Sequence, residues 1–570
     1  MNLDDKIKLA NSLNQQGEID KAEKLYLEIL NQSNKKYEAL LSLGLINIKK
    51  KNFDSSIIFF KKAIKINKTD IRAYINIGNI FIILKNFSEA IKYLEKAKKI
   101  NYKNENVINN LSYLYNEKNN YKLLDININL GLNININNFF LLNLKGKLLI
   151  NENNIEEGIS YYQKSINAND KYKYAYENLL LILERTNKLK EFKNYLDKAK
   201  NIFLDDEDIL LFEAIYYMRI KNFENVKKIL ITNNLLEKFK NREDKRIKYF
   251  DILAKCQDNL NETKLAYNNF EQRNYIIKNQ IKNKIFDKNI IINLINDYKN
   301  YFNKENISKF KKSNIAKQIL SPVFLIGFPR SGTTLLDSIL RSHSNIFVLE
   351  EKLLVSKVRD NFFEKNQKKI KSLETLKNEQ ILSLQQDYLD ILKKDNKNID
   401  LSNTLVDKFP LNIIEIGFIK RIFPNSKFIL AMRHPCDAIL SCFMSDFKIN
   451  EGMANFYNLE DAALLYDNVF TLWKNYNKVL EIDYCLIKYE DVVNSFEETI
   501  KKLIVFLGLK WEHNLFDFNK TALKRQKINT PSYNQVIEPL YVSSIDRWKK
   551  YKQIENVYPI MKKWIKEYDY

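Results

Sequence analysis

The chain has 570 residues, too many for one core, with 45% hydrophobic and 12% aromatic residues, enough for several packed domains. Only 11 Gly and 8 Pro are present, which excludes a loop-rich or collagen-like chain and points to helices. A net charge of +22 first suggests nucleic acid, but Lys is spread along the whole length with Asn and Ile. That is compositional bias on a solvated surface, so no nucleic-acid partner is expected.

From the N-terminus the chain repeats itself every 34 residues. One position of the register reads Gly44, Gly78, Ser112, Gly146; another reads Tyr26, Phe60, Leu94, Ile128, Tyr162, Leu196, Leu230. Small residues recur where two helices must approach and large ones where a core must be filled. Each unit is therefore a helix pair that buries its apolar face only by stacking on its neighbours. Seven units run from about residue 3 to 237, and an eighth, with Ala254, Ala266 and Phe270, follows a short insertion. We expect a helical solenoid over residues 1–275 and a polar, Lys/Asn-rich helical linker over 276–320.

At Ser321 the pattern changes. Val323–Leu340 reads VFLIGFPRSGTTLLDSIL: a buried strand, a glycine-bracketed turn and a helix start. Such a turn points backbone N–H groups at an anion. The spacing of Gly327 and Gly332 is that of a nucleotide-triphosphate loop, yet Thr333 stands where such a loop has its lysine. Two more apolar runs, Lys427–Arg433 and Tyr484–Glu490, alternate with helical patterns such as Leu411–Phe423. The expectation over residues 321–570 is an α/β domain with a parallel sheet covered on both faces, and a ligand beyond the strands' carboxyl ends. The strand at 427–433 ends on Arg433, where a magnesium-dependent nucleotidase needs an acid. We expect an anion bound without metal.

Cys256, Cys436, Cys442 and Cys485 form no C-x-x-C pair, so no disulfide framework or zinc site is expected and a reducing compartment, the cytoplasm, is. The N-terminal MNLDDKIKLANSL has acids where a signal peptide needs a positive n-region, so none is expected, and no apolar window is long enough for a transmembrane span.

The 34-residue units resemble tetratricopeptide repeats. The blocks GFPRSGTTLL, DKFPLN, FPNSKFILAMRHPCDAILS and TPSYNQVIEPLYVSSIDRW, in that order, resemble the sulfotransferase fold. More narrowly, the chain is similar to bacterial tetratricopeptide-repeat sulfotransferases and to the core of protein-tyrosine sulfotransferases. The resemblance implies 3′-phosphoadenosine 5′-phosphosulfate as donor, with no metal. Arg330, Ser331, Gly332, Thr333 and Thr334 would wrap its 5′-phosphosulfate. Arg433, Ser441 and Arg547 would hold its 3′-phosphate, and Tyr489 would lie near the nucleotide. Lys408 would stabilise the leaving oxygen, Ser532 the transition state, and Glu351 would be the base, with Glu350 as the fallback if the register slips by one. Arg330 would serve catalysis as well as binding. His343 and His434 are expected to be structural.

The chain departs from the tyrosine-specific members. Where they often carry Gly-Glu-Glu before an acceptor-side arginine it has Leu349-Glu350-Glu351-Lys352-Leu353, and Ser445 replaces another arginine. The acceptor hydroxyl therefore stays open between a peptide tyrosine, a polysaccharide, a glycolipid and a small metabolite. The repeats would hold a peptide or other polymer, or else join two chains in a homodimer. A P-loop kinase or nucleotidase and a non-catalytic repeat scaffold are the alternatives, and the missing loop lysine counts against the first.

Overall fold

In the computed structural model the described residues are 3–32, 36–282, 287–310, 319–367, 369–395, 399–447, 449–525, 536–540 and 542–570. They form two compact units, Met1–Ile209 and Leu210–Tyr570.

The first unit is built of helix pairs, beginning Leu3–Gln15 with Ile19–Gln32 and continuing to Lys173–Arg185 with Leu189–Ile202. The expected register is physical. A Cβ on Gly44 would stand 2.5 Å from the Phe60 ring, one on Gly78 2.6 Å from Leu94, and one on Gly146 2.7 Å from Tyr162. Ser112, at the same register position, instead accepts a hydrogen bond from Asn127 Nδ2 at 2.7 Å. Each turn within a pair passes through one left-handed residue. Gly17, Lys51, Lys85, Asn119, Asn153 and Asn187 all have φ between +54° and +84°, again at a spacing of 34. Several Asn residues that follow cap the second helix, as Asn86 accepts from the Glu89 N–H and Asn120 from that of Leu123.

In the second unit, five parallel strands make one sheet: β1 (Val323–Gly327), β2 (Ile346–Glu350), β3 (Thr404–Lys408), β4 (Lys427–Met432) and β5 (Asp483–Lys488), in the spatial order β2-β3-β1-β4-β5. Three of these are the expected strands; β2 and β3 are additional. The sheet is covered on both faces. Phe324, Ile326, Phe428 and Leu430 enter one core with Phe418 and Ile422. Val323, Leu325, Ile429 and Ala431 enter the other with Leu336, Ile339 and Leu503. Burial of successive residues on opposite faces explains why β1 reads as an unbroken apolar run. The pattern at Leu411–Phe423 divides into a short 3-10 turn, Pro410–Ile413, and a helix, Ile416–Ile422.

The eighth repeat, Glu243–Asn259 with Thr263–Lys282, packs against this sheet domain. Ala254, Ala266 and Phe270 share the first core, and Tyr267 stacks on Phe443 with ring centroids 4.9 Å apart. Of the expected linker, Asn289–Tyr301 is a helix whose Ile295, Tyr298 and Tyr301 are buried in that core as well.

Candidate active site

β1 delivers the chain to Gly327, where a Cβ would lie 2.4 Å from the Ala431 carbonyl oxygen on β4. Only glycine fits. Two left-handed residues, Arg330 (φ +69°) and Gly332 (φ +90°), then bracket Ser331 and turn the chain into the helix Thr333–Leu340. The first N–H groups of a helix have no intrahelical acceptor and carry the positive end of its dipole. The turn therefore gathers donors at the carboxyl edge of the sheet, beside Ser331, Thr333 and Thr334, all buried.

Around this turn the structure assembles residues from distant elements. Arg330 Nε donates to Ser441 Oγ at 3.0 Å, on the helix Pro435–Phe443 that follows β4. Arg433, immediately after β4, donates from Nη1 to the Arg330 carbonyl at 3.4 Å and from Nη2 to the Ser544 carbonyl. Its guanidinium lies 5.2 Å from the Tyr489 ring, which in turn stands against Gly332. Arg433 Nε is buried with no acceptor among the described residues. An unanswered buried N–H is costly, and an anion at this place would answer it.

β2 and β3 supply the other half. Their register sets Glu350 opposite Lys408. Glu351 then turns left-handed, φ +47°, while its N–H donates to the Lys408 carbonyl at 2.8 Å. This turn brings the Glu351 carboxylate to Lys408 Nζ at 2.8 Å. The Lys408 side chain has no solvent exposure, whereas that of Glu351 is 34% exposed, so a buried cation meets a carboxylate that solvent reaches. Glu350 is held by Arg525, and its Oε1 stands 3.9 Å from Lys408 Nζ. Burial raises the Glu350 pKa above the ordinary carboxylate value, while Lys408 and Arg525 oppose that rise. Asp407 lies on the opposite face of β3. It is buried and accepts from Tyr388 OH at 2.7 Å, and burial pushes it up to about 7.

Residues 322–513 match the family model described as sulfotransferase family, and residues 37–70, 71–104 and 141–172 match the tetratricopeptide-repeat model. The sulfotransferase-family match is thus a C-terminal domain match, confined to residues 322–513. An uncharacterized protein of Aquifex aeolicus is 29% identical over 241 residues, 41% of this chain and 31% of its own length. Protein-tyrosine sulfotransferase 2 of Gallus gallus is 25% identical over 238 residues, 40% of this chain and 62% of its own. Protein-tyrosine sulfotransferase 1 of Homo sapiens is 25% identical over 236 residues, also covering 40% and 62%. The chain thus spans less than two thirds of these relatives' length.

The remaining expected residues of the sulfotransferase domain fall as follows. Arg547 Nη2 donates to Asp258 Oδ2 of the eighth repeat at 2.5 Å, and Tyr551 OH donates to Asp258 Oδ1 at 2.6 Å. Its neighbour Trp548 donates its backbone N–H to Asp437 at 2.8 Å and stacks on His434 with centroids 4.9 Å apart. Ser532 lies outside the described residues. His343 Nε2 faces the Lys510 carbonyl at 2.8 Å while Nδ1 accepts from the Asn345 N–H at 3.1 Å, so the ring is tied to backbone on both sides. Burial lowers the His434 pKa to about 4, so that ring is neutral. Sequence reasoning missed Arg525, Asp337, Arg273 and Asp258. Asp337 alone left a trace, as a single acid inside the apolar run of the loop helix. Among the described residues no group of three or more His, Cys, Asp or Glu gathers as metal ligands, and no helix is long and apolar enough to cross a membrane.

Proposed function

We propose that the chain moves a sulfuryl group from 3′-phosphoadenosine 5′-phosphosulfate to an acceptor hydroxyl. The observation that carries this reading is the Lys408–Glu351 contact at the carboxyl ends of β2 and β3, on the same sheet edge as a phosphate-type turn that lacks a lysine. Arg330, Ser331, Gly332, Thr333 and Thr334 bind the 5′-phosphosulfate. Arg433 and Ser441 take the 3′-phosphate, and the buried, unanswered Arg433 Nε is what such an anion would satisfy. Two of the five N–H donors of Arg547 are used on Asp258, and the others suit the same phosphate. Tyr489 lies beside the nucleotide.

In the transfer, the acceptor oxygen forms a bond to sulfur as the bond from sulfur to the 5′-phosphate oxygen breaks. Adenosine 3′,5′-bisphosphate leaves. The acceptor proton passes to Glu351, and Lys408 stabilises the charge that grows on the leaving oxygen. Ser532 assists beside the donor. Arg433 at the end of β4, where a nucleotidase places its metal-binding acid, suits a donor that needs no bridging ion.

The acceptor is a peptide tyrosine or a glycan or other polymer held by the repeats. Four buried thiols, none in a disulfide, suit a reducing compartment such as the cytoplasm. Incubation of the purified chain with sulfur-labelled donor and cell extract tests the reading. Wild-type protein should label a macromolecular fraction, and Lys408→Ala should lower the rate by about 10²–10³. Label transfer that survives Lys408→Ala unchanged contradicts the mechanism, and no transfer by the wild type contradicts the function.

A further inference from the structure

Behind Lys408 and Glu351 runs a row of alternating charges that belongs to no motif of the sequence. On the loop helix, Asp337 accepts from Arg341 Nε at 2.7 Å and from Arg525 Nη1 at 2.8 Å. Its side chain has no exposure, and that of Arg525 has 14%. The other arm of Arg525 donates to Glu350 Oε2, and Glu350 itself is only 9% exposed. Among the described residues Glu350 Oε1 is buried without a hydrogen-bond partner, and it stands 3.9 Å from Lys408 Nζ. Two carboxylates therefore bracket one buried ammonium, but only Glu351 bonds it.

A buried carboxylate needs a counter-charge. With Arg525 in place Glu350 has one, fixed in direction because the guanidinium fork is itself anchored on Asp337. Without Arg525, Lys408 is the cation left beside Glu350 among the described residues. Closing that gap would pull the ammonium toward Glu350, off Glu351 and off the leaving oxygen. We propose that Arg525, anchored on Asp337, is a positioning residue that engages Glu350 and thereby leaves Lys408 to Glu351 and to the donor. The inference rests on the sulfuryl-transfer reading above, since the leaving oxygen is that of the sulfated nucleotide.

The test is a double-substitution cycle in the full-length chain, with steady-state transfer from 3′-phosphoadenosine 5′-phosphosulfate to the acceptor fraction identified by labelling. Arg525→Gln should lower kcat by about tenfold or more, with the donor KM within about twofold of wild type. Glu350→Gln added to Arg525→Gln removes the competing charge and should restore most of the lost kcat. A general packing defect would give additive losses and no recovery. Should Arg525→Gln not fold, Arg525→Lys serves. Its single ammonium keeps the charge but cannot fork between the two carboxylates, so kcat should fall and Glu350→Gln should again raise it. An unchanged kcat in the Arg525 variant, or a double variant no faster than the single, overturns the inference. Wild-type protein that transfers no label overturns the reading beneath it, a result distinct from an active wild type whose Arg525 variant is equally active.

Discussion

Replacing Arg273 by Met should unsettle the sulfotransferase domain from a residue that lies in the last repeat. The Arg273 side chain has no exposure and its guanidinium has no spare capacity. It donates to Asp251 at 2.7 Å and to the carbonyls of Phe443, Met444 and Ser445 at 2.8, 2.9 and 3.3 Å. Those carbonyls end the helix Pro435–Phe443, where backbone acceptors lack intrahelical donors and a cation is favoured by the dipole. Methionine keeps the apolar stem but leaves the carbonyls and the buried Asp251 without this partner. Breaking a buried charge pair from one side costs about 3–5 kcal/mol. With about 2.1 cal/mol/K of unfolding entropy per residue over residues 210–570, that corresponds to a fall of about 5 °C in Tm. Differential scanning calorimetry of the full chain measures it, and the transition raised by adenosine 3′,5′-bisphosphate marks the relevant unit, because a ligand stabilises the state it binds. Lys255→Met, which removes the 45%-exposed partner of the same Asp251, is the control, with an expected loss under about 1 kcal/mol. A shift below about 1 °C for Arg273→Met, or an equal shift for Lys255→Met, refutes the argument.

Gly332→Ala should weaken adenosine 3′,5′-bisphosphate binding by about tenfold, because a left-handed alanine costs about 1–2 kcal/mol and its Cβ would press on the Tyr489 ring at 3.1 Å; titration calorimetry reads this, and unchanged affinity contradicts it. Asp407 is held near pKa 7 by burial, against about 3.9 in an unfolded chain. Its contribution to stability is therefore full below about pH 4 and lost as pH rises through about 7. Asp407→Asn should accordingly gain Tm on the wild type as pH rises from about 4 to 8, and a difference that does not vary with pH contradicts this.

What the sequence made legible was what backbone sterics and helix packing force. Gly327 and Gly332 had to be glycine, the first because Ala431 O occupies the space of a side chain and the second because of its φ of +90°. The loop was therefore readable as a loop. The repeats were readable because Gly44 and Gly78 must face Phe60 and Leu94. β2 and β3 were not, since each has five residues and ends in charge, IFVLE and TLVDK, too short to show a period. Glu351 and Lys408 entered the sequence reading by resemblance alone, and the pairing that sets them together is a register between strands. The left-handed turn residues Lys51 and Lys85 carry no local signal, lysine being an unusual choice there. Arg525 with Asp337 and Arg547 with Asp258 are contacts across 188 and 289 residues of chain, which no local pattern encodes.

The most direct measurement of the central claim is calorimetric titration of the full chain with adenosine 3′,5′-bisphosphate in EDTA, set beside ATP with magnesium. One bisphosphate should bind per chain without a divalent ion, more tightly than ATP–magnesium, and Arg433→Gln should weaken it. Tighter binding of ATP that depends on magnesium, with no response to the bisphosphate, would contradict the account.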